Sequence, residues 1–217
     1  MEFCGIFIKF GTKEHLLKLQ KDGLLHCRPL NYFKDIEDNN LRGDKFETVV
    51  ELIYIKNPLL QIKPASDPSA EYKSIPITKA QIVYYRTDDF GNLFCLHAIN
   101  VLEKEEGEIF SIDKRNKKFG DHFLMITDTS EFIERLQKSL LENNLNYEHD
   151  LVKYFELAKY KGKKTVFNKD MIYEYQKEFR LFIHNTTNQI IEFKIGDLSD
   201  ISVLYPSTIA DTLIMKR

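Results

Sequence analysis

Cysteine is scarce in this chain, and the spacings that announce metal or hydrolase chemistry are missing. The three cysteines, Cys4, Cys27 and Cys95, form no Cys-x-x-Cys pair and sit inside apolar, strand-like segments, which predicts reduced core residues. The six histidines, His15, His26, His97, His122, His149 and His184, are scattered singly with no His-x-x-x-His pair, so no metal site is expected. There is no Gly-x-Ser-x-Gly elbow, and the nine glycines do not cluster into a phosphate-cradling loop, which removes the common hydrolase and P-loop readings. No apolar run approaches the roughly 18 residues a membrane helix needs. The opening Met1-Glu2-Phe3-Cys4-Gly5 lacks a basic region followed by an apolar stretch, so no secretory signal and a cytoplasmic location are expected. A basic excess is also lacking. Thirty-one Lys and Arg against thirty-three Asp and Glu leave a net charge of −2, without the global positive field of a dedicated nucleic-acid binder.

What is present is a chain of 217 residues, 43% apolar and 12% aromatic, long enough to bury a substantial core. Phe3 to Phe10 reads as a strand, Gly11-Thr12 as a turn and N-cap, Lys13 to Lys21 as a helix stopped at Asp22-Gly23, and Leu24 to Cys27 as a second strand. From Asn31 to Asp44 a polar and aromatic connection reads as a short helix plus a functional loop. Val49 to Ile55 and Leu59 to Ile62 read as strands turning at Asn57-Pro58, followed by a loop at Pro64 to Ser69. Gln81 to Tyr85 and Leu93 to Asn100 read as a hairpin joined through Asp88-Asp89-Phe90-Gly91-Asn92. A further strand, His122 to Ile126, precedes the best helix, Ser130 to Asn143, whose Phe132, Ile133, Leu136, Leu140 and Leu141 form a helical stripe. Strands follow at Leu151 to Phe155, Phe179 to His184, Ile190 to Lys194 and Ile201 to Tyr205. With no repeat and no linker, the expectation is a single α+β domain over residues 1–217, with a curved antiparallel or mixed sheet and helices packed on one side.

The chemistry concentrates in Tyr173-Glu174-Tyr175-Gln176-Lys177-Glu178-Phe179-Arg180-Leu181-Phe182-Ile183. In a strand, Gln176 and Glu178 project side by side while Phe179, Leu181 and Ile183 face the core, so an amide and a carboxylate meet at a strand mouth. The same letters also fit an edge strand with a Glu178 and Arg180 surface pair. The loop Asp38 to Glu47 packs carboxylates around Arg42, whose planar fork suits a phosphate or carboxylate, and it also fits an internally paired surface loop. His97 fits a satisfied core histidine or, alternatively, a ligand or general base. Two basic clusters, Lys114 to Lys118 and Lys159 to Lys164 with Tyr154, Phe155 and Tyr160 nearby, fit solvated turns or nucleic-acid patches.

The order of Lys9-Phe10-Gly11-Thr12 at the end of the first strand, the strand-helix-strand opening and Gln176-x-Glu178 entering a late strand resembles the layout of ADP-ribosyltransferases, with Phe10 where that pattern has histidine. The resemblance implies a split antiparallel β-sandwich around a NAD cleft. It implies Glu178 as the catalytic carboxylate that stabilises positive charge on the ribose as nicotinamide leaves, and Gln176 as its orienting partner. Lys9, Thr12 and Arg42 would hold the dinucleotide, and Tyr32, Tyr84 or Tyr85 would stack on nicotinamide.

Across nearly the whole chain, the acid and arginine loop, the Gly91-Asn92-x-Phe94-Cys95 strand and the closing Tyr173-x-x-Gln176-x-Glu178-Phe179-Arg180 with Gly196-Asp197-Leu198-Ser199-Asp200-Ile201 are similar to an uncharacterised bacterial and phage family associated with toxin or phage-defence systems. The resulting expectation is an enzyme handling NAD or a nucleotide, with nucleic acid or protein as acceptor. The alternative is a non-catalytic nucleic-acid- or protein-binding module of a defence or counter-defence system.

Overall fold

The computed structural model describes residues 5–36, 41, 43–86, 91–100, 109–212 and 214–216. Cys4, Arg42, residues 38–40 of the acidic loop and residues 88–90 of the expected hairpin connection lie outside them. The first half runs β1 (Gly5–Gly11), α1 (Lys13–Asp22), β2 (Leu24–Pro29), α2 (Leu30–Asp35), β3 (Val49–Lys56), β4 (Leu59–Ile62), β5 (Lys73–Pro76), β6 (Lys79–Tyr85) and β7 (Asn92–Asn100). The second half runs β8 (Ile109–Ser111), β9 (His122–Ile126), α3 (Thr129–Glu142), β10 (Tyr147–Leu151), β11 (Lys153–Phe155), β12 (Gly162–Lys163), β13 (Asn168–Asp170), β14 (Glu178–Ile183), β15 (Ile191–Lys194), β16 (Ser202–Pro206) and β17 (Ile214–Lys216). Tight 3-10 turns at Lys114–Phe119, Met171–Gln176 and Ser207–Thr212 complete the fold that surrounds the site.

An antiparallel sheet in the order β10-β14-β7-β1-β9-β16 forms the centre, and β2 joins it at the start of β7 while also pairing β15. Its core face carries Phe7, Phe94, Leu96, Phe179, Leu181 and Ile183, against which α1 lays Leu16 and Leu19 and α3 lays Phe132, Leu136 and Leu140. Each such side chain, fully buried, contributes roughly 1.5–3 kcal/mol. The helices start and stop where the sequence marks them. Thr12 Oγ1 accepts from His15 N at 3.4 Å, Asp128 Oδ1 accepts from Glu131 N at 3.0 Å, and Gly23 ends α1 at φ 61°. The architecture is α+β, with α1 and α3 sharing one face of the sheet. The opposite face is also covered: Ile8, Ile99 and Phe123 pack on Ile112 and Ala210, and Leu93 and Phe182 pack on Leu30 and Val166.

Three sequence expectations are corrected. Strand β14 is not an edge strand, because β10 and β7 pair with it on either side, and its register sets Glu178 opposite His97 and Arg180 opposite Cys95. The expected hairpin of β6 with β7 is absent; β6 pairs with β3 in a separate three-stranded sheet, β12-β3-β6. Asn57-Pro58 is not a reversal either. It interrupts a ribbon that continues from β3–β6 into β4–β5, and Asn57 takes φ 50° there while its N–H donates to Thr78 O at 2.9 Å.

Candidate functional site

Strand alternation turns Phe179, Leu181 and Ile183 to the helical face and sends Glu178 and Arg180 to the other, where both are buried, at 8% and 2% exposure. The surface-pair reading of these two residues therefore fails. Arg180 Nε donates to Glu178 Oε2 at 2.6 Å, while its Nη1 and Nη2 grip the Glu47 carboxylate and Nη1 also donates to Val166 O. Lys169 Nζ donates to Glu178 Oε1 at 2.7 Å and to Gln176 Oε1 at 2.6 Å. Burial alone would raise the Glu178 carboxyl, but the charges of Arg180 and Lys169 and their hydrogen bonds overcome it and hold the group well below the usual carboxylate range. The network is fixed from outside as well: Tyr154 Oη accepts from Glu178 N at 2.9 Å, and Gln176 Nε2 donates to Leu41 O at 2.6 Å.

Two further charged side chains lie buried beside the network without such closure. Lys164 Nζ has no hydrogen-bond partner, and burial depresses its pKa against the pull of Glu47 and Asp44. Asp44 Oδ2 is also unpartnered, and burial and then Glu47 push its carboxyl up. Glu47, Asp44 and Glu178 thus face Lys164, Lys169 and Arg180, three charges of each sign removed from water.

The open part of the region is a cleft of about 530 Å³ beside this network, lined by His97, Asp113, Arg115, Glu174, Tyr175 and Lys177 among others. Its walls are two 3-10 turns. Asp113 caps Lys114–Phe119 by accepting from Arg115 N at 2.8 Å, and holds the Arg115 guanidinium with Nε at 3.0 Å and Nη2 at 2.7 Å. That guanidinium lies 3.7 Å from the Tyr175 ring centroid. On the other wall, Asp170 caps Met171–Gln176, and Lys177 leaves it in the left-handed region, at φ 41° and ψ 59°, before the chain enters β14. Gln176 and Glu178 are therefore not strand neighbours; they meet because both bind Lys169.

His97 joins cleft and network. Its Nδ1 lies 2.7 Å from Gln176 O, and since a carbonyl only accepts, Nδ1 carries the hydrogen and Nε2 keeps its lone pair. Nε2 is buried and unpartnered, and His97 is 7% exposed. Burial draws its pKa down to about 4, so the ring is neutral near pH 7. One nitrogen is satisfied within the core, and the other is a buried acceptor without a partner in a residue that lines the cleft.

The remaining residues expected at a dinucleotide site are dispersed. Lys9 shares the helical face with Phe7, its Nζ donating to Cys95 O at 2.8 Å above the Phe94 ring, on the side of the sheet opposite Glu178. Thr12 is the exposed cap of α1. Tyr32 stacks with Arg28 in a separate hollow of about 400 Å³, and Tyr85 is half exposed near Lys34, while Arg42 falls outside the described residues. The Lys159 to Lys164 cluster does not form one basic surface, since Lys159 pairs with Glu156 and Lys164 is buried. Sequence reading missed Lys169, the residue that links Gln176 to Glu178, and the stacking of Arg115 on Tyr175. Only the contiguity of the Lys114 to Lys118 cluster hinted at the latter. Cys27 and Cys95 are free thiols pushed up to about 12 by burial. Among the described residues, no three His, Cys, Asp or Glu side chains gather as a metal site, and no helix is long and apolar enough to cross a membrane.

The fold and site define an α+β protein with a polar cleft backed by a buried ion network. Compared with protein-family models, curated proteins and solved structures, the chain matches none.

Proposed function

We propose that the protein binds a nucleotide-type ligand in the cleft beside His97, with phosphate held by Arg115 and Lys177 and a base or amide N–H given to His97 Nε2. The observation that carries this reading is His97, a residue that lines the cleft: a neutral imidazole with its tautomer fixed by Gln176 O and its second nitrogen buried and unsatisfied. A buried acceptor without a partner costs about 1–3 kcal/mol, which a donor on the ligand would recover. Arg115 is held by Asp113 through Nε and Nη2 and by the Tyr175 ring, which leaves the outer Nη1 edge of a fixed guanidinium to meet a phosphate.

This reading keeps the nucleotide, NAD included, and parts from the transferase expectation on the catalyst. Both carboxylate oxygens of Glu178 already accept from cations, so Glu178 would have to abandon Lys169 or Arg180 to reach a ribose. A bacterial toxin or phage-defence setting belongs to the proposal through sequence resemblance alone. A strand of nucleic acid is the second reading, favoured by Lys114, Lys117 and Lys118 next to Arg115. Thermal melts with NAD, ADP-ribose, nucleoside triphosphates and short single-stranded oligonucleotides test both. Stabilisation by a mononucleotide or dinucleotide that is lost in Arg115→Ala supports the first reading. Stabilisation by oligonucleotides alone, falling steeply with salt, supports the second. No shift with any of them contradicts both.

A further inference from the structure

The second hollow, of about 400 Å³, opens where β2 turns into α2 beside the loop that precedes β15, and shares no lining residue with the His97 cleft. Its two walls are clamped together by Asn92, which is fully buried. Asn92 Nδ2 donates to Cys27 O and to Gln189 O, each at 2.8 Å, and Asn92 Oδ1 accepts from Asn185 Nδ2 at 3.0 Å, so the whole amide is spent on holding β2 against the loop. Alternation along β2 buries Leu25 and Cys27 in the helical core and turns Arg28 to the other face, into the hollow. The Arg28 guanidinium lies 4.1 Å from the Tyr32 ring centroid, that ring meets Phe33 edge-on at 5.3 Å, and Phe33 packs on Leu30, Leu93 and Phe182. The cation is therefore oriented by a stack rooted in the core.

The chemistry of the lining identifies the ligand. Among the described residues, none hydrogen-bonds or ion-pairs with the side chains of Arg28, Asn31 or Asn188, so one guanidinium fork and two amides face the hollow uncommitted. A fixed fork suits a carboxylate or a phosphate, and each amide offers both a donor and an acceptor, which matches the N–H and C=O of a peptide group. The rest of the lining is apolar: Pro29, Ile36 and Ile190, the last 47% exposed. A phosphate would use the fork but set its charge against Pro29 and Ile190, and a nucleic-acid backbone would call for more than the one cation present. We infer that this hollow binds the α-carboxylate end of an apolar amino acid, free or as the last residue of a polypeptide. Arg28 takes the carboxylate, Asn31 and Asn188 the adjoining amide or amine, and Ile190 with Pro29 the apolar side chain.

Amide NMR of the isotopically labelled full chain tests this, with N-acetyl-leucine, N-acetyl-leucinamide, free leucine, a short peptide ending in leucine, and inorganic phosphate as probes. N-acetyl-leucine is expected to shift the amides of Asn31, Tyr32 and Asn188 saturably, and N-acetyl-leucinamide, which lacks the carboxylate, to bind about tenfold more weakly or worse. Arg28→Lys, which keeps the charge but not the fork, and Ile190→Asp, at an exposed position, are each expected to weaken N-acetyl-leucine by about tenfold while the rest of the spectrum is unchanged. A peptide that binds more tightly than free leucine supports the site and assigns it to a polypeptide terminus; a peptide no tighter than free leucine supports it and assigns it to the amino acid. No saturable shift at these amides overturns the inference, as does equal binding of N-acetyl-leucinamide or an Arg28→Lys variant as tight as wild type. Phosphate that shifts the same amides as strongly as N-acetyl-leucine overturns it in favour of a phosphate ligand.

Discussion

Arg180 is among the largest fully buried side chains of the molecule, and its charge is tolerated only because Glu47 and Glu178 close around it. Burying ions costs several kcal/mol each before their attraction is counted, so such a network adds little net stability but makes each member hard to remove. Lys169→Met is expected to lower the unfolding free energy from urea titration by about 3–5 kcal/mol, because Glu178 loses a partner it cannot replace with water. Lys164→Met should cost clearly less than Lys169→Met, since that ammonium makes no hydrogen bond and loses only the attraction of Glu47 and Asp44. An equal or larger loss on removing Lys164 would contradict the account.

His97 adds a pH dependence whose sign follows from its depressed pKa. Its ordinary value is 6.5 and its folded value about 4, so between those limits the unfolded chain takes up a proton that the folded chain refuses. The stability it contributes is present above pH 6.5 and is lost as pH falls toward 4, a change on the order of 3 kcal/mol. Below pH 4.5 the depressed Glu178 carboxyl adds a further loss of the same sign. Chemical denaturation from pH 7 to pH 4 should therefore be steeper for wild type than for His97→Gln, which keeps a donor for Gln176 O. Equal slopes would contradict the placement of a neutral imidazole there.

At the scale of elements, the sequence was legible where local signals agreed. Helices α1 and α3 carry both caps and apolar stripes, and β1, β2, β7, β9, β14, β15 and β16 lie close to the expected strands. Pairing was less legible. The few residues between Tyr85 and Asn92 suggested a hairpin, yet β6 and β7 belong to different sheets, and nothing local distinguishes the two outcomes. The site was read through the wrong geometry. Gln176 and Glu178 do lie together, but Gln176 ends a 3-10 turn that strand alternation cannot describe, and Lys169, seven residues upstream, has no motif around it. Glu47 lay within the acidic loop whose internally paired reading overlooked Arg180, a partner 133 positions away in sequence.

The junctions between elements are tight, and one is testable through a glycine. Gly23 ends α1 at φ 61°, and a Cβ there would stand 2.0 Å from Gly196 O. Gly23→Ala is expected to cost more than about 1 kcal/mol, since left-handed strain and a backbone clash add. The midpoint of urea unfolding measures it, and an unchanged midpoint would contradict the close approach.

At the scale of the whole molecule, the central sheet separates a mainly apolar helical core from a face where buried charge, cleft and His97 converge. Lys9 lies on the wrong side of that sheet to join them, and Tyr32 and Tyr85 stand at other sites. The central claim is that the cleft, and not Glu178, binds the ligand. Calorimetric titration of the intact chain with ADP-ribose, comparing wild type, Arg115→Ala and Glu178→Gln, tests it most directly. The account predicts saturable binding by wild type, weakened by about tenfold or more in Arg115→Ala and kept by whatever fraction of Glu178→Gln remains folded. Full binding by Arg115→Ala together with loss in folded Glu178→Gln would contradict it.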